Sequence, residues 1–223
     1  MTFSYKILFA ISLFTLIFSF GLNNSISQVT DYDGKTYNTV TIGTQEWMAE
    51  NLNVEHYRNG DIIPQIQDNE KWNHLVTGAW RYYDNDSKKG KKYGKLYNWY
   101  AVIDSRGLAP DGWHIPSDDE WTELNDYLGG GRGVEEKLKS NSGWYHNSNG
   151  TNESGFGALP GGFCYGNGEF HEISKYCYFW STLEYKDKEY KSAWCRYLDD
   201  VNSTMLRNAC YKDCGLSIRC IKN

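Results

Sequence analysis

Hydrophobic and polar positions fall into two regimes along the chain. From Lys35 to Ile42 (KTYNTVTI) β-branched and aromatic residues crowd one run, Gly43-Thr44 turns the chain, and Gln45 to Ala49 follows. That order predicts a β-hairpin. Tyr93 to Ile103 places Leu96, Tyr100 and Ile103 at i, i+4 and i+7, the spacing of an amphipathic helix. A second helix is marked by its start. Ser117-Asp118-Asp119-Glu120 reads as a capping box, in which Ser117 accepts from the third helical amide and Glu120 reaches back to the cap. Trp121, Leu124 and Leu128 supply its apolar face, Gly129-Gly130-Gly131 ends it, and Val134 to Leu138 adds a short helical turn. Beyond Gly155 the runs are short and strand-like: Phe156 to Phe163, Glu169-Phe170, Tyr178 to Thr182, Ser192 to Leu198 and Leu216 to Ile221. Helices first and most strands last predict an α+β domain, with the first hairpin beside the last strand.

The amino terminus stands apart from this pattern. Lys6 precedes an apolar run from Ile7 to Phe20, and Ser25-Ile26-Ser27 then offers small residues at the positions a signal peptidase reads. The run is shorter than the roughly 20 residues a membrane span needs. The expected division is therefore a signal peptide over residues 1–27 and an exported domain over 28–223, with an uncleaved anchor as the alternative. No cysteine follows the run at which a lipid could be attached.

Charge narrows the classes of partner. Without residues 1–27 the chain keeps 22 basic and 28 acidic residues, a balance that argues against nucleic acid, which is bound through clustered Lys and Arg. The one basic knot, Lys88-Lys89-Gly90-Lys91-Lys92, reads as a solvated loop. Nine Trp and eighteen Tyr imply a core of large rings, with some left for a binding face. All six cysteines lie in the last third, Cys164, Cys177, Cys195, Cys210, Cys214 and Cys220. In an exported protein an even number points to disulfides, and six allow 15 pairings. Local bridges, Cys164 with Cys177 across the Gly166-Asn167-Gly168 turn and Cys195 with Cys210 on the next two strands, are the simplest expectation. A metal site at Cys210 and Cys214 competes with them, although no histidine lies nearby.

Several stretches are recognisable together: Thr41 to Leu52 (TIGTQEWMAENL), Tyr93-Gly-Lys-Leu-Tyr97, Gly112 to Ser117 (GWHIPS) with Glu120-Trp121, Gly155 to Gly162 (GFGALPGG), Phe179-Trp-Ser-Thr182 and Gly215 to Cys220 (GLSIRC). In that order they resemble the Fibrobacter succinogenes major paralogous domain, an exported bacterial family, from about Asp31 to Asn223. The resemblance implies a C-type-lectin-like fold akin to that of formylglycine-generating enzymes: two helices, a small twisted antiparallel sheet and long loops, disulfide-stabilised. It implies no established activity. Members often carry cysteines where this chain has Arg81 and Ala109, so the bridge usual in the family to the position of Cys220 does not transfer.

Candidate sites follow from the rings and the acids. Trp80, Tyr82, Tyr83, Trp144 and Tyr145 are expected in loops, where rings stack on sugar faces and polar neighbours fix orientation; packing of those loops onto the core is the competing role. Asp84-Asn85-Asp86 is an oxygen-rich loop in which Asp84 and Asp86 could serve calcium, which takes six to eight oxygens. The sugar-binding motifs of calcium lectins are missing, and an Asx-turn is the alternative. No other cofactor is implied. Cys210 and Cys214 are too closely spaced to carry over the paired cysteines of formylglycine-generating enzymes, and acids such as Asp118 to Glu120, Asp199 and Asp200 show no defined glycosidase pair. His114 reads as structural. No Ser-His-Asp arrangement, phosphate loop or His-Glu-x-x-His motif appears. The reading is a secreted or cell-surface interaction domain contacting extracellular glycan or a surface protein, with an enzyme on the same fold as the alternative.

Overall fold

The computed structural model describes residues 27–186 and 191–223; the expected signal peptide lies, but for Ser27, outside the described residues. The described residues begin with β1 (Gln28–Thr30), β2 (Thr36–Ile42) and β3 (Gln45–Met48), the last two forming the hairpin its sequence predicts. Then come α1 (Asn69–Trp72), β4 (Trp80–Arg81), α2 (Ser87–Tyr93), β5 (Leu96–Tyr97), α3 (Trp99–Val102) and β6 (Trp113–His114). The second half holds α4 (Asp118–Tyr127), α5 (Val134–Leu138), β7 (Phe163–Cys164), β8 (Phe170–His171), β9 (Cys177–Lys186), β10 (Lys191–Leu198), β11 (Leu206–Tyr211) and β12 (Ile221–Lys222). Among the described residues four antiparallel sheets result: β1-β2-β3-β12-β6, β11-β10-β9, and the pairs β4-β5 and β7-β8. Ile221 of β12 faces Trp47 of β3, so the two ends of the domain meet in one sheet. Among the described residues no helix is long and apolar enough to cross a membrane.

The α4 start is built as its sequence prescribes, with the Ser117 side chain on the Glu120 amide and the Glu120 carboxylate on the Ser117 amide. Two other expectations fail. The run 93–103 is no continuous helix. Gly94 sits at φ 78° against Asn51 and Leu52, and Leu96 and Tyr97 then pair with Arg81 and Trp80. Only Trp99–Val102 is helical, capped by Asn98. The basic knot, in turn, is part of α2 rather than a loop, because Asp86 caps it and Lys91 and Lys92 occupy its last turn, where cations suit the helix dipole.

Long loops carry many backbone carbonyls that must find donors when buried. Buried cations supply many of them. Arg219 donates to Asn51 Oδ1 and to the carbonyls of Met48, Phe156 and Gly157. Arg81 reaches the carbonyls of Gln67 and Gly168 between the Trp72 and Phe170 rings. Lys95 holds Asn53 under Trp80 and Tyr82, and Lys139 holds Ser148 and Glu135 under Trp144. Burial pulls the Lys95 and Lys139 ammonium groups below the ordinary lysine value.

Candidate functional site: a ring-lined hollow

Alternation along β9 and the residue before it sorts the side chains. Cys177 and Phe179 turn into the core, while Tyr176 and Tyr178 remain partly open on the other face. Tyr197 of β10 lies opposite Tyr178 in the register, and the two rings stack at 4.8 Å and 18°. Tyr176 continues the stack at 6.0 Å and 12°. Phe163 of β7 meets Tyr178 edge-on at 4.9 Å and carries Tyr165 on its other side at 4.8 Å. The β7-β8 hairpin is brought this close by Gly162, at φ 66°, whose amide donates to the Tyr176 carbonyl. A side chain there would run into the His171 carbonyl and the Tyr83 ring.

These rings border an open hollow of about 490 Å³ whose lining includes Tyr145, Phe163, Tyr165, Tyr176 and Tyr178 together with Glu172, Lys175 and Asp200. Tyr145 and Tyr165 are 45% and 46% exposed, so their faces are available. Lys175 pairs with Glu172 at 3.3 Å and lies 5.4 Å from the Tyr145 ring centre. The rim is held in uncommon backbone: His146, Asn147, Glu172 and Ser174 all have φ between 49° and 69°. Tyr145 N donates to Ser174 O at 2.8 Å, tying the two rim segments together. Burial, joined by Asp199 at Tyr176 and Tyr197, pushes the Tyr176, Tyr178 and Tyr197 hydroxyls above the ordinary tyrosine value. They are neutral donors and acceptors at physiological pH.

Of the five rings expected in loops, Tyr145 alone lines this hollow. Trp80, Tyr83 and Trp144 are 3%, 7% and 4% exposed and present no free face. Trp80 donates to Ile63 O, and Trp144 to Ser140 Oγ and Ala158 O, which satisfies each indole in the core. Tyr83 packs on Phe170, and half-buried Tyr82 meets Trp80 edge-on. The acids of the candidate calcium loop have separate partners. Asp84 pairs with Lys89, and Asp86 accepts from the Lys88 amide as the α2 cap. Among the described residues no group of three or more His, Cys, Asp or Glu is placed to hold a metal ion. Phe163, Tyr165, Tyr176, Tyr178 and Tyr197 are not among the candidates the sequence offers. The period-two spacing of Tyr176 and Tyr178 around Cys177 is a signal for that pair alone.

The six cysteines are all unbridged in this structure. Cys164 does not face Cys177 across the Gly166–Gly168 turn: its partner in the hairpin is Phe170, and Cys177 lies in another part of the core beside Gly162. Burial pushes the Cys164 and Cys177 thiols up to about 12. Cys195 and Cys210 do come together, on β10 and β11.

Fold and site thus define a small α+β domain of short antiparallel sheets that presents a ring-lined surface hollow. The chain belongs to the Fibrobacter succinogenes major domain family, whose family model matches residues 40–222. No curated protein and no solved structure matches it.

Proposed function

We propose that this is an exported, non-catalytic interaction domain that holds extracellular glycan in the hollow bordered by Tyr145, Tyr165, Tyr176 and Tyr178. The observation that carries the reading is the coincidence of exposed ring faces with the Glu172, Lys175 and Asp200 side chains around one cavity. A pyranose offers an apolar C–H face to rings and equatorial hydroxyls to carboxylates and ammonium, which is the mixture found here. The apolar run Ile7–Phe20 followed by Ser25-Ile26-Ser27 supports export by a cleaved leader. The joined terminal strands, the separate three-stranded sheet and the long loops between them support a C-type-lectin-like arrangement.

The test is a glycan array probed with the purified protein, once with calcium and once with chelator, alongside the Tyr145→Ala and Tyr165→Ala variants. Saturable binding that either substitution removes while the melting temperature holds supports the reading. A blank array, or binding indifferent to both substitutions, sinks it and directs attention to a protein partner. Loss with chelator would add calcium, with Asp84 and Asp86 as its candidate ligands.

A further inference from the structure

The three-stranded sheet carries a feature that the hollow does not use. In the β10-β11 ladder Cys195 lies opposite Asn208, and Cys210 is two residues farther along the same strand, so both side chains project from one face. Their sulfurs stand 2.8 Å apart, and a bonded pair stands about 2.05 Å apart. Only a small side-chain adjustment separates the two arrangements. The two thiols differ in access. Cys195 is fully enclosed, whereas Cys210 is partly exposed. Cys164, Cys177, Cys214 and Cys220 are all buried, and Cys164 is engaged by Arg81 and the Tyr165 carbonyl.

We propose that Cys195 and Cys210 are a redox pair that closes into a disulfide across β10 and β11, with Cys210 the sulfur through which it closes. A small disulfide, RSSR, is the oxidant. The Cys210 thiolate attacks one of its sulfurs, forming a mixed disulfide and releasing RS⁻. Cys195 then gives up its proton and attacks the Cys210 sulfur, forming the internal bond and releasing a second RS⁻. The two cysteine protons end on the two RS⁻, so the protein loses two electrons and RSSR becomes two RSH. Burial, and the adjacent Cys210, push the Cys195 thiol well up, which keeps it out of reaction until the mixed disulfide sits against it. The bridge braces the strand that carries Tyr197 in its stack on Tyr178, and it stands whatever the hollow binds.

The experiment uses protein expressed from the whole sequence and equilibrated with oxidised glutathione, then acid-quenched, denatured, alkylated and digested without reductant. The expected product is one linked pair of peptides, containing Cys195 and Cys210, two hydrogens lighter than the separate peptides and released by reductant. The other four cysteines are expected alkylated. In the native reduced protein Cys210 should alkylate at least about tenfold faster than Cys195, as exposure controls thiol reactivity. Full alkylation of both cysteines after oxidation, a dominant bridge to any other cysteine, or faster labelling of Cys195 would each overturn the proposal. Wild-type labelling rates decide the entry sulfur without a variant. Cys210→Ser adds a check, since Cys195 should then remain a thiol in the presence of oxidised glutathione.

Discussion

The guanidinium of Arg219 lies 4.3 Å from the centre of the Phe156 ring while its Nη1 donates to the carbonyl of the same residue at 2.5 Å. One side chain thus fixes both the ring and the backbone of the Gly155–Gly162 loop, and ties them to Met48 and Asn51 at the end of the first hairpin. Burial pulls the guanidinium down to about 9. Hydrogen bonds to neutral oxygens and two ring faces do the work a carboxylate would otherwise do.

Arg219→Met should therefore destabilise the domain by at least about 3 kcal/mol, because it leaves several buried acceptors without donors. Arg219→Lys should fall between the two, since a single ammonium cannot span Asn51, Met48 and Phe156 together. Urea unfolding measures both. A loss below about 1 kcal/mol for the methionine variant would mean that water replaces the guanidinium and that the loop is held by other contacts.

Asp118 makes a comparable join at the start of α4. It is 7% exposed and accepts from Arg196 of β10 and Arg207 of β11, fastening the first turn of α4 to both strands. Asp118→Asn should cost about 3 kcal/mol, since it strands the buried Arg196 charge. Asp119→Asn, at the exposed neighbouring position, should cost about 0.5 kcal/mol through the helix dipole alone. Equal melting temperatures for the two variants would contradict this account.

The capping box gives a dependence on pH with a defined sign. Burial works against the Glu120 charge, but the Ser117 amide, His114 and the Ser117 hydroxyl outweigh it and hold the carboxyl below its ordinary 4.5. A depressed carboxylate contributes stability that is fully present above the unfolded value and lost as pH falls through the folded one. Glu120→Gln should thus melt lower than the parent near neutral pH, and that margin should shrink as pH falls below 4.5. Ser117→Ala should cost about 1 kcal/mol at pH 7. A margin that widens on acidification would show that Glu120 is not the group being titrated.

What the sequence made legible was local chemistry. Ser117 and Glu120 name their helix because both halves of the capping box lie within four residues, and Gly43-Thr44 names its hairpin for the same reason. Contacts between distant segments overruled the rest. The 3.6-residue spacing from Tyr93 to Ile103 is real, yet Tyr97 exchanges backbone bonds with Leu216 and pairs with Trp80, and those partners lie far off in sequence. Strand β11 is hinted at only by Cys210 as a partner for Cys195, because Leu206–Tyr211 has no apolar alternation; its place is set by β10. Trp80 and Trp144 sit in segments that read as loops, and nothing in a loop's composition says that a lysine such as Lys95 or Lys139 will close over the ring.

That contrast yields the most discriminating prediction about the site. Tyr165 and Trp80 are both large rings outside the long strands, but one is nearly half exposed and the other is buried under Lys95. Tyr165→Ala should leave the melting temperature nearly unchanged and weaken ligand binding at least about tenfold, equivalent to about 1.4 kcal/mol. Trp80→Ala should do the reverse, lowering stability by about 3–5 kcal/mol while the folded fraction binds with parental affinity. Denaturation curves and titration of an array-selected glycan at a temperature where both variants are folded separate the two effects. If the folded Trp80 variant has lost the ligand and the Tyr165 variant has kept it, the ligand sits at the β4-β5 pair, and the hollow beside Tyr176 and Tyr178 is not where this domain binds.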